Sequence, residues 1–364
     1  MILYRKKGQC VEMKFSSKVL SKKDFNAFND NQLIKEMLEI KEIPKQKDSK
    51  VFYTLRGSRI GAYIGGIVIY IILENGKIFI RRNDSDNKET ISIGIDKEIT
   101  KIEDYLNLLN KIYDNFTKYK ELTNKQKEKR FSHNLINNID NINVQGMNKI
   151  YIFESEFNLY LNKKKSKKSR IDLLGINEKG ELVFIEVKID GSVILGTNGI
   201  NKHCHDLTIF TANTENDFEL DEYNKLIEQM KKLNITDIPE NLNVKKDGKR
   251  HYIIICGYTD FSKYDVAYKI SALISERLIE DIKSDYKSTR KTKLVTVEGG
   301  AGNIKTMYNH FNDIKDYNPQ LILTKVCKET DNIKYEYNIR DYLKENWQYE
   351  PYLYICDKVA DKLN

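Results

Sequence analysis

Cysteine is scarce in this sequence of 364 residues, and its five copies are scattered along the chain. Their number is odd and no two of them form a Cys-x-x-Cys pair, which argues against a disulfide framework and against a zinc site. The cysteine pattern therefore predicts a reducing compartment, the cytoplasm. The five are Cys10, Cys204, Cys256, Cys327 and Cys356.

Long hydrophobic runs are also lacking. The longest, at positions 60–73, has about 14 residues and falls short of the roughly 20 needed to span a bilayer. Its three glycines and its β-branched residues instead favour buried strands. The basic residues Arg5, Lys6 and Lys7 are not followed by an apolar segment, so we expect no signal peptide and no membrane partner.

The charge balance leans towards the positive side. Lys and Arg number 61 against 53 Asp and Glu, which gives a formal net charge of +8 and a pI near 8.9. A positive balance favours a polyanionic partner. The length allows two domains, each with its own core. We expect an N-terminal α+β domain at 1–118, for recognition or regulation, and a second domain at 119–364.

Hydrophobic spacing predicts the elements of the N-terminal domain. Positions 16–43 and 98–121 have helical spacing, and positions 51–95 are typical of a small antiparallel sheet. Within that sheet, Asn75-Gly76 is a strong signal for a two-residue hairpin turn. No named motif and no internal repeat occur there, so the sequence leaves its role open.

A second hairpin, at positions 170–188, organises the rest of the chain. Two β-rich segments, 171–176 and 181–187, flank the turn residues 177–180. A three-residue loop with Gly180 at positive φ would place Leu174 opposite Phe184 and Asp172 opposite Glu186. Lys188 lies two residues beyond Glu186 and therefore on the same face.

Two acids and a lysine are thus expected to converge at one end of an apolar hairpin face. Carboxylates at the roughly 4.5–5.5 Å spacing of a cross-strand pair repel each other unless a cation lies between them. Hard oxygen ligands suit Mg²⁺ or Mn²⁺. Such an ion can acidify a bound water and stabilise charge on a phosphate, while the lysine positions or deprotonates that water. The cluster predicts metal-assisted hydrolysis of a phosphodiester.

A basic loop precedes the first strand of this hairpin. Six of the eight residues at 163–170 are basic, and they lead directly into the strand that carries Asp172. Although many charged loops are only solvated, lysines bind backbone phosphates without reading sequence. The predicted nucleic-acid contacts in this loop are Lys163, Lys164, Lys165, Lys167, Lys168 and Arg170.

The hairpin resembles the core of the PD-(D/E)xK nuclease superfamily, although Ile171 stands where the proline of that motif would be. The resemblance covers roughly 120–260. It implies an α/β (α+β) fold with a restriction-endonuclease-like αβββαβ core, whose elements we expect at 123–140, 149–161, 171–176, 181–187, 201–210 and 249–258.

The resemblance also implies roles for individual residues. Asp172, Glu186 and the Val187 carbonyl would bind the metal, and Lys188 would be catalytic. A glutamate on the first helix, for which Glu128 is the candidate, would face the site. Glu154 or Glu156 could replace it, although we expect both to face solvent. On the helix after the third strand, the candidates for a polar residue that contacts the site and the nucleic acid are Lys202 and His203.

The function predicted from this set is a Mg²⁺- or Mn²⁺-dependent endonuclease acting on double-stranded DNA, in restriction or anti-phage defence, with a homodimer as one option. The alternatives are a non-catalytic nucleic-acid-binding protein with the same fold and an RNA-directed or ligand-activated nuclease. If Lys188 orients the attacking water, Lys188→Ala should lower cleavage by about 10²–10⁴-fold. We expect that change to leave folding nearly intact.

Overall fold

The computed structural model describes residues 2–6, 9–13, 18–43, 46–82, 96–116, 124–160 without 143 and 145, 168–189, 203, 217–258, 294–297, 300–303, 320–326 and 333–338. Over these residues the protein is a mixed α and β structure. It divides into two compact units, one of Met1–Thr117 with Asn216–Lys246 and one of Lys118–Glu215 with Asp247–Asn364. In the described ranges, no helix combines the length and the apolar character needed to cross a bilayer.

The described helices are α1 (Lys22–Asn29), α2 (Gln32–Glu39), α3 (Ile102–Phe116), α4 (Asn124–Asn138) and α5 (Asp217–Lys232), with a 3₁₀ turn at Ile139–Asn141. The described strands are β1 (Ile2–Lys6), β2 (Gln9–Met13), β3 (Glu42–Ile43), β4 (Gln46–Lys50), β5 (Phe52–Leu55), β6 (Ile60–Ile64), β7 (Ile67–Glu74), β8 (Lys77–Arg82), β9 (Asp96–Ile99), β10 (Ile150–Tyr160), β11 (Lys168–Asn177), β12 (Leu182–Ile189), β13 (Arg250–Tyr258), β14 (Leu294–Val297), β15 (Gly300–Asn303), β16 (Gln320–Val326) and β17 (Ile333–Asn338).

The helical spacing at 16–43 corresponds to two short helices, α1 and α2, rather than to one continuous helix. Asn31 adopts an extended conformation between α1 and α2, and its side chain accepts a hydrogen bond from the amide of Ile34 at 3.1 Å. Asparagine favours such caps because its short side chain competes with the helical backbone for hydrogen bonds. The chain therefore stops one helix and starts another at this residue.

Strands β5 to β9 form a five-stranded antiparallel sheet in the first unit. The apolar run at 60–73 is two buried strands, as predicted, with a turn at Gly65 and Gly66, whose φ angles are 51° and 100°. The Asn75-Gly76 turn is confirmed as well, since both residues lie in the left-handed region and Glu74 pairs with Lys77 across it.

Helix α5 belongs to the first unit although it follows the hairpin in sequence. The amide of Leu20 donates to Gln229 Oε1 at 2.8 Å, and Gln229 Nε2 donates to the Leu20 carbonyl at 2.9 Å. Lys41 also donates to the carbonyl of Asn234 at 2.6 Å. Residues 216–246 thus interrupt the second unit, which we expected to be continuous over 119–364. Contacts over 209 positions in sequence leave no local signal that could reveal this.

The second unit contains a six-stranded mixed sheet in the order β10-β11-β12-β13-β16-β17. The β10–β11, β11–β12 and β16–β17 pairs are antiparallel, and β12–β13 and β13–β16 are parallel. Strand β13 extends the sheet beside β12, which confirms the prediction for 249–258. Strands β14 and β15 form a separate two-stranded sheet.

The β11–β12 hairpin has the predicted register, with Leu174 opposite Phe184. Gly180 lies at φ 82°, and the Asn177 side chain accepts hydrogen bonds from the amides of Lys179 and Glu181 at 3.0 and 2.9 Å. The β11–β12 ladder runs only from the turn to the Leu173–Ile185 pair, while β11 continues along β10 and β12 along β13. The predicted site lies where the two strands stop pairing.

Helix α4 packs on β12 and begins at Asn124, close to the predicted helix over 123–140. Its residues Phe131 and Leu135 are buried. The Phe131 ring lies directly over Gly257 of β13, so closely that a Cβ on Gly257 would approach ring atoms to 2.7 Å. Only glycine fits under this ring, and this contact helps to fix the helix that carries Glu128.

Candidate metal and phosphate site

Asp172 lies at the end of the β11–β12 ladder, where its carboxylate takes over a backbone hydrogen bond. Its Oδ2 atom accepts from the amide of Val187 at 2.8 Å. Continuing the register from Leu173–Ile185 by one residue places Asp172 opposite Glu186. Because the N–H and C=O of one strand residue face the same edge, the Val187 carbonyl also faces β11. The backbone atom that the resemblance assigned to a metal is therefore on the Asp172 side of β12.

Glu186 and Lys188 are both buried on β12 and form an ion pair. Lys188 Nζ donates to Glu186 Oε1 at 2.6 Å. The other carboxylate oxygen of Glu186, Oε2, is buried and has no hydrogen-bond partner among the described residues. A buried carboxylate oxygen without a partner is costly, and such atoms commonly mark a place for an ion or a ligand.

Two further candidates join this pair. Glu128 of α4 accepts from Lys188 Nζ at 3.3 Å, and His203 Nε2 lies 3.2 Å from Glu186 Oε1. The structure therefore brings together five residues from two strands, one helix and one further segment: Asp172, Glu186, Lys188, Glu128 and His203. Lys202 and most of the predicted helix over 201–210 lie outside the described residues, as do Lys163, Lys164, Lys165 and Lys167; of Lys168 only the backbone is described.

The electrostatics of the cluster follow from burial. Burial raises the pKa of Asp172 well above its usual value, and the neighbouring charge of Glu186 raises it further. Burial likewise raises the pKa of Glu186, although Lys188 opposes this. Burial alone would lower the pKa of Lys188, but the carboxylates of Glu186, Glu128 and Asp172 outweigh it and hold that pKa above its ordinary value. Lys188 is thus protonated, which suits positioning and charge stabilisation rather than proton abstraction.

The charge count leaves room for a cation. Three carboxylates and one ammonium carry a net charge of about −2 when all are ionised. Mg²⁺ commonly binds through only one or two carboxylates and fills its other positions with water and substrate phosphate. Glu186 Oε2 and the Asp172 carboxylate offer such hard oxygen ligands, so the residues fit this ion. Among the described residues, no group of three or more His, Cys, Asp or Glu side chains forms a metal site by itself.

The burial of Lys188 changes one expectation from the sequence. Its side chain is 8% exposed and contacts a Glu186 side chain that is 2% exposed. Removing one partner of a buried ion pair leaves the other charge uncompensated and typically costs 3–5 kcal/mol, by order of magnitude. Lys188→Ala is therefore expected to weaken folding as well as any chemistry, contrary to the expectation of an intact fold.

Strand β10 holds two acids that we expected to face solvent, and this expectation was wrong. A β-bulge at Phe153 shifts the register of β10, and Glu154 becomes fully buried, with its Oε1 accepting from the amide of Ser155 at 2.8 Å. Glu156 is half-buried and lies at φ 51°, between the pairs Ser155–Leu173 and Phe157–Ile171. Neither residue replaces Glu128, which itself contacts Lys188.

Glu156, which the sequence analysis named only as a possible replacement for Glu128, lies near the site with partners that the sequence did not predict. Its Oε1 lies 3.1 Å from Arg170 Nη1 and 3.5 Å from Lys129 Nζ. The register places Glu156 opposite Asp172, so Glu156, Asp172 and Glu186 form a row across three adjacent strands. The bulge at Phe153, three residues earlier in the same strand, sets this register, and no sequence pattern in β10 predicts the bulge.

No protein-family model, curated protein or solved structure matches this chain. Its function therefore has to be argued from the geometry of these residues.

Proposed function

We propose that this protein is a metal-dependent nuclease that hydrolyses phosphodiester bonds, with a restriction-endonuclease-like core built from α4, β10 to β13 and the segment of His203. The single observation that carries the proposal is the buried Glu186 carboxylate, one oxygen of which has no hydrogen-bond partner among the described residues, beside the Asp172 carboxylate and the Lys188 ammonium. Burying charged groups of this kind lowers the stability of the fold, and a bound Mg²⁺ or Mn²⁺ would offset the repulsion between the carboxylates.

In this proposal Asp172, Glu186 and the Val187 carbonyl would hold the metal. When bound, the metal supplies a water of lowered pKa and a positive charge beside the phosphate. Lys188 remains protonated between Glu186 and Glu128 and stabilises negative charge that develops on the phosphoryl oxygens. Glu128 holds the ammonium in place from α4. His203 Nε2 lies 3.2 Å from Glu186 Oε1, the same oxygen that accepts from Lys188, so both contacts leave Oε2 available to the metal.

The sheet order supports the proposed core. A helix is followed by three antiparallel strands, and a fourth strand lies parallel beside the third, as the proposed αβββαβ core requires of these five elements. The second helix of that core, expected at 201–210, lies outside the described residues except for His203. The proposed substrate is double-stranded DNA, in restriction or anti-phage defence, because the chain is basic and its loop at 163–170 feeds into the site. Recognition or regulation by residues 1–118, a cytoplasmic location and a homodimer belong to the same proposal.

The decisive test is cleavage of supercoiled DNA, linear DNA, single-stranded DNA and RNA with Mg²⁺, Mn²⁺, Ca²⁺ or EDTA. We expect cutting with Mg²⁺ or Mn²⁺ and none with EDTA. Asp172→Asn and Glu186→Gln, which keep side-chain shape, should abolish cutting. Asp140→Asn is the matched control, since Asp140 is an exposed acid of the same unit. Failure of the wild type to cut any of the four with any ion would end the nuclease assignment.

A nucleic-acid-binding protein without catalysis is the second candidate. It is favoured by the ion pairs of Lys188, which already compensate part of the carboxylate charge in the absence of any metal. This candidate predicts binding of the same nucleic acids in EDTA with no change on adding Mg²⁺. Isothermal calorimetry of Mg²⁺ against the wild type and Asp172→Asn separates the two: a metal-binding heat that Asp172→Asn loses supports the nuclease.

A further inference from the structure

Glu156 holds two cations on one carboxylate oxygen at the edge of the proposed site. Lys129 reaches it from α4 and Arg170 reaches it from β11. Lys129 adjoins Glu128 in sequence, and Arg170 lies two residues before Asp172, so both cations flank residues of the site itself. The charges of one carboxylate and two cations leave a net charge of one positive unit, which matches the single negative charge of a phosphodiester.

The two cations differ in how they could meet such a phosphate. Arg170 is about half exposed, with 46% of its side chain accessible, whereas Lys129 is largely buried at 14%. A guanidinium has five N–H donors in a planar fork and binds phosphate oxygens in pairs. The ion pair of Arg170 Nη1 with Glu156 Oε1 restricts the positions open to the guanidinium, and this lowers the entropy it loses when it binds a ligand.

The backbone of Glu156 gives a second, independent reason to look here. A non-glycine residue at φ 51° inside a strand is strained, and such strain persists where the surrounding structure or the function requires it. A residue whose only task was to dock α4 on β10 could do so from an unstrained position of the strand. Here the strain places the carboxylate between Arg170 and Lys129.

We propose that Glu156 is a positioning residue that orients Arg170, with Lys129 beside it, to bind a backbone phosphate of the nucleic acid adjacent to the metal-binding carboxylates. The proposal rests on the proposed function for the position of the scissile bond, but phosphate binding by Arg170 does not require catalysis. Lys129 supplies the second charge and ties the clamp to the helix that also carries Glu128.

The test uses Glu156→Gln, because the loss of a negative charge alone would strengthen binding to nucleic acid, whereas the loss of a positioning residue would weaken it. Glu156→Gln removes a negative charge and, without a positioning role, should tighten binding to a polyanion or leave it unchanged. With the positioning role it should weaken binding of a labelled duplex DNA in EDTA, and the salt slope should fall by about one unit, as for one lost phosphate contact. Glu240→Gln is the matched control, an exposed acid of the other unit.

A double-mutant cycle tests whether Glu156 acts through Arg170. Arg170→Ala, at an exposed side chain, should reproduce the loss of binding and of salt slope, and Glu156→Gln added to it should cause no further loss. Arg170→Ala also decides the matter should Glu156→Gln fold poorly. Where the protein cuts DNA, both variants should raise KM several-fold and leave kcat within about twofold, since a contact made equally in substrate and transition state affects binding alone.

Each outcome bears on one proposal at a time. Unchanged or tighter binding by Glu156→Gln, or a full additive loss in the double variant, would overturn the positioning role while leaving the nuclease intact. A wild type that binds DNA but cuts nothing would remove the nuclease, and weaker binding by Glu156→Gln would still support the clamp. No binding of duplex DNA or duplex RNA by the wild type would overturn the clamp as well.

Discussion

Two hairpins of this protein, β7–β8 and β11–β12, are built alike but place their charges differently. Both turn through a residue at positive φ, and both carry acids and bases on paired strands. In the first, the Arg81–Glu74 ion pair at 2.6 Å involves side chains that are 40% and 42% exposed. In the second, Lys188 and Glu186 meet at the same distance but are 8% and 2% exposed.

The difference shows which charges need an explanation. Exposed ion pairs contribute about 0–1 kcal/mol and occur wherever surface residues happen to meet. Taking charges out of water costs several kcal/mol per ion, by order of magnitude, and an apolar pair of similar volume is often at least as stable. The first hairpin is therefore explained by folding alone, whereas the charges of the second are retained at a cost that points to function.

The largest expected effect is on the stability of the buried pair. Lys188→Ala should lower the free energy of unfolding by about 3–5 kcal/mol, because it leaves the Glu186 charge buried and uncompensated. Urea unfolding followed by circular dichroism measures this. Glu186→Gln in the same chain should recover part of the loss, since the charge that Lys188 compensated is then removed as well. A cost below about 1 kcal/mol would place Lys188 with the surface lysines and weaken the comparison.

Mg²⁺ should stabilise the protein by binding at the β11–β12 hairpin, and changes in the β7–β8 hairpin should not alter that stabilisation. A ligand that binds only the folded state adds about 2.7 kcal/mol at a concentration 100 times its dissociation constant. We expect a rise in Tm with Mg²⁺ for the wild type and none for Asp172→Asn. Glu74→Gln, in the exposed hairpin, should respond as the wild type does. An equal rise for Asp172→Asn would show that the ion binds elsewhere.

The buried acids should also give the protein an unusual pH dependence in EDTA. The unfolded chain loses carboxyl protons near pH 4, but burial raises the pKa of Asp172 and Glu186 in the folded chain. Between these values the folded state binds more protons, so its free energy of unfolding should fall as pH rises. A difference of one between the two pKa values is worth about 1.4 kcal/mol. The free energy of unfolding, measured with urea at several pH values, should fall less steeply with rising pH for Asp172→Asn than for the wild type.

The smallest expected effect is in the exposed hairpin. Lys77 Nζ lies 3.1 Å from Glu98, with side chains that are 60% and 36% exposed. Lys77→Ala should change the free energy of unfolding by less than about 0.5 kcal/mol, because solvent screens the pair. The same urea measurement gives the value. A loss as large as that of Lys188→Ala would mean that exposure does not separate the two hairpins.

Sequence reasoning succeeded where local chemistry decides. The Asn75-Gly76 turn and the Gly180 turn follow from which residues tolerate positive φ, and the turn then fixed the Leu174–Phe184 register by counting. The same counting placed Asp172, Glu186 and Lys188 on one stretch of the hairpin. Glu128 and His203 were named only through the resemblance, and the structure places both in contact with the cluster.

Sequence reasoning failed where pairing with a distant strand, or a side chain that caps a helix, outweighed the hydrophobic spacing. The β-bulge at Phe153 buried Glu154 and set Glu156 opposite Asp172, and it arises from pairing with β11 rather than from β10 alone. The cap at Asn31 divided a helix whose apolar spacing was continuous across it. Neither a bulge nor a choice between cap and helix interior can be read from hydrophobic periodicity.

The discontinuity of the first unit bears on the order in which this chain can fold during synthesis. Domains usually fold from the N-terminus as the ribosome releases them. Here the Leu20 backbone cannot bond to Gln229 until α5 has been made, and the buried face of α5, with Leu226, Ile227 and Met230, is among the last parts of the first unit to be synthesised. The strands β10 to β12 are released earlier, so the hairpin with Asp172 and Glu186 is available for folding before the N-terminal unit is complete. A shortened chain without residues 1–117 would leave α5 with no core to join, and function should be dissected by point changes instead.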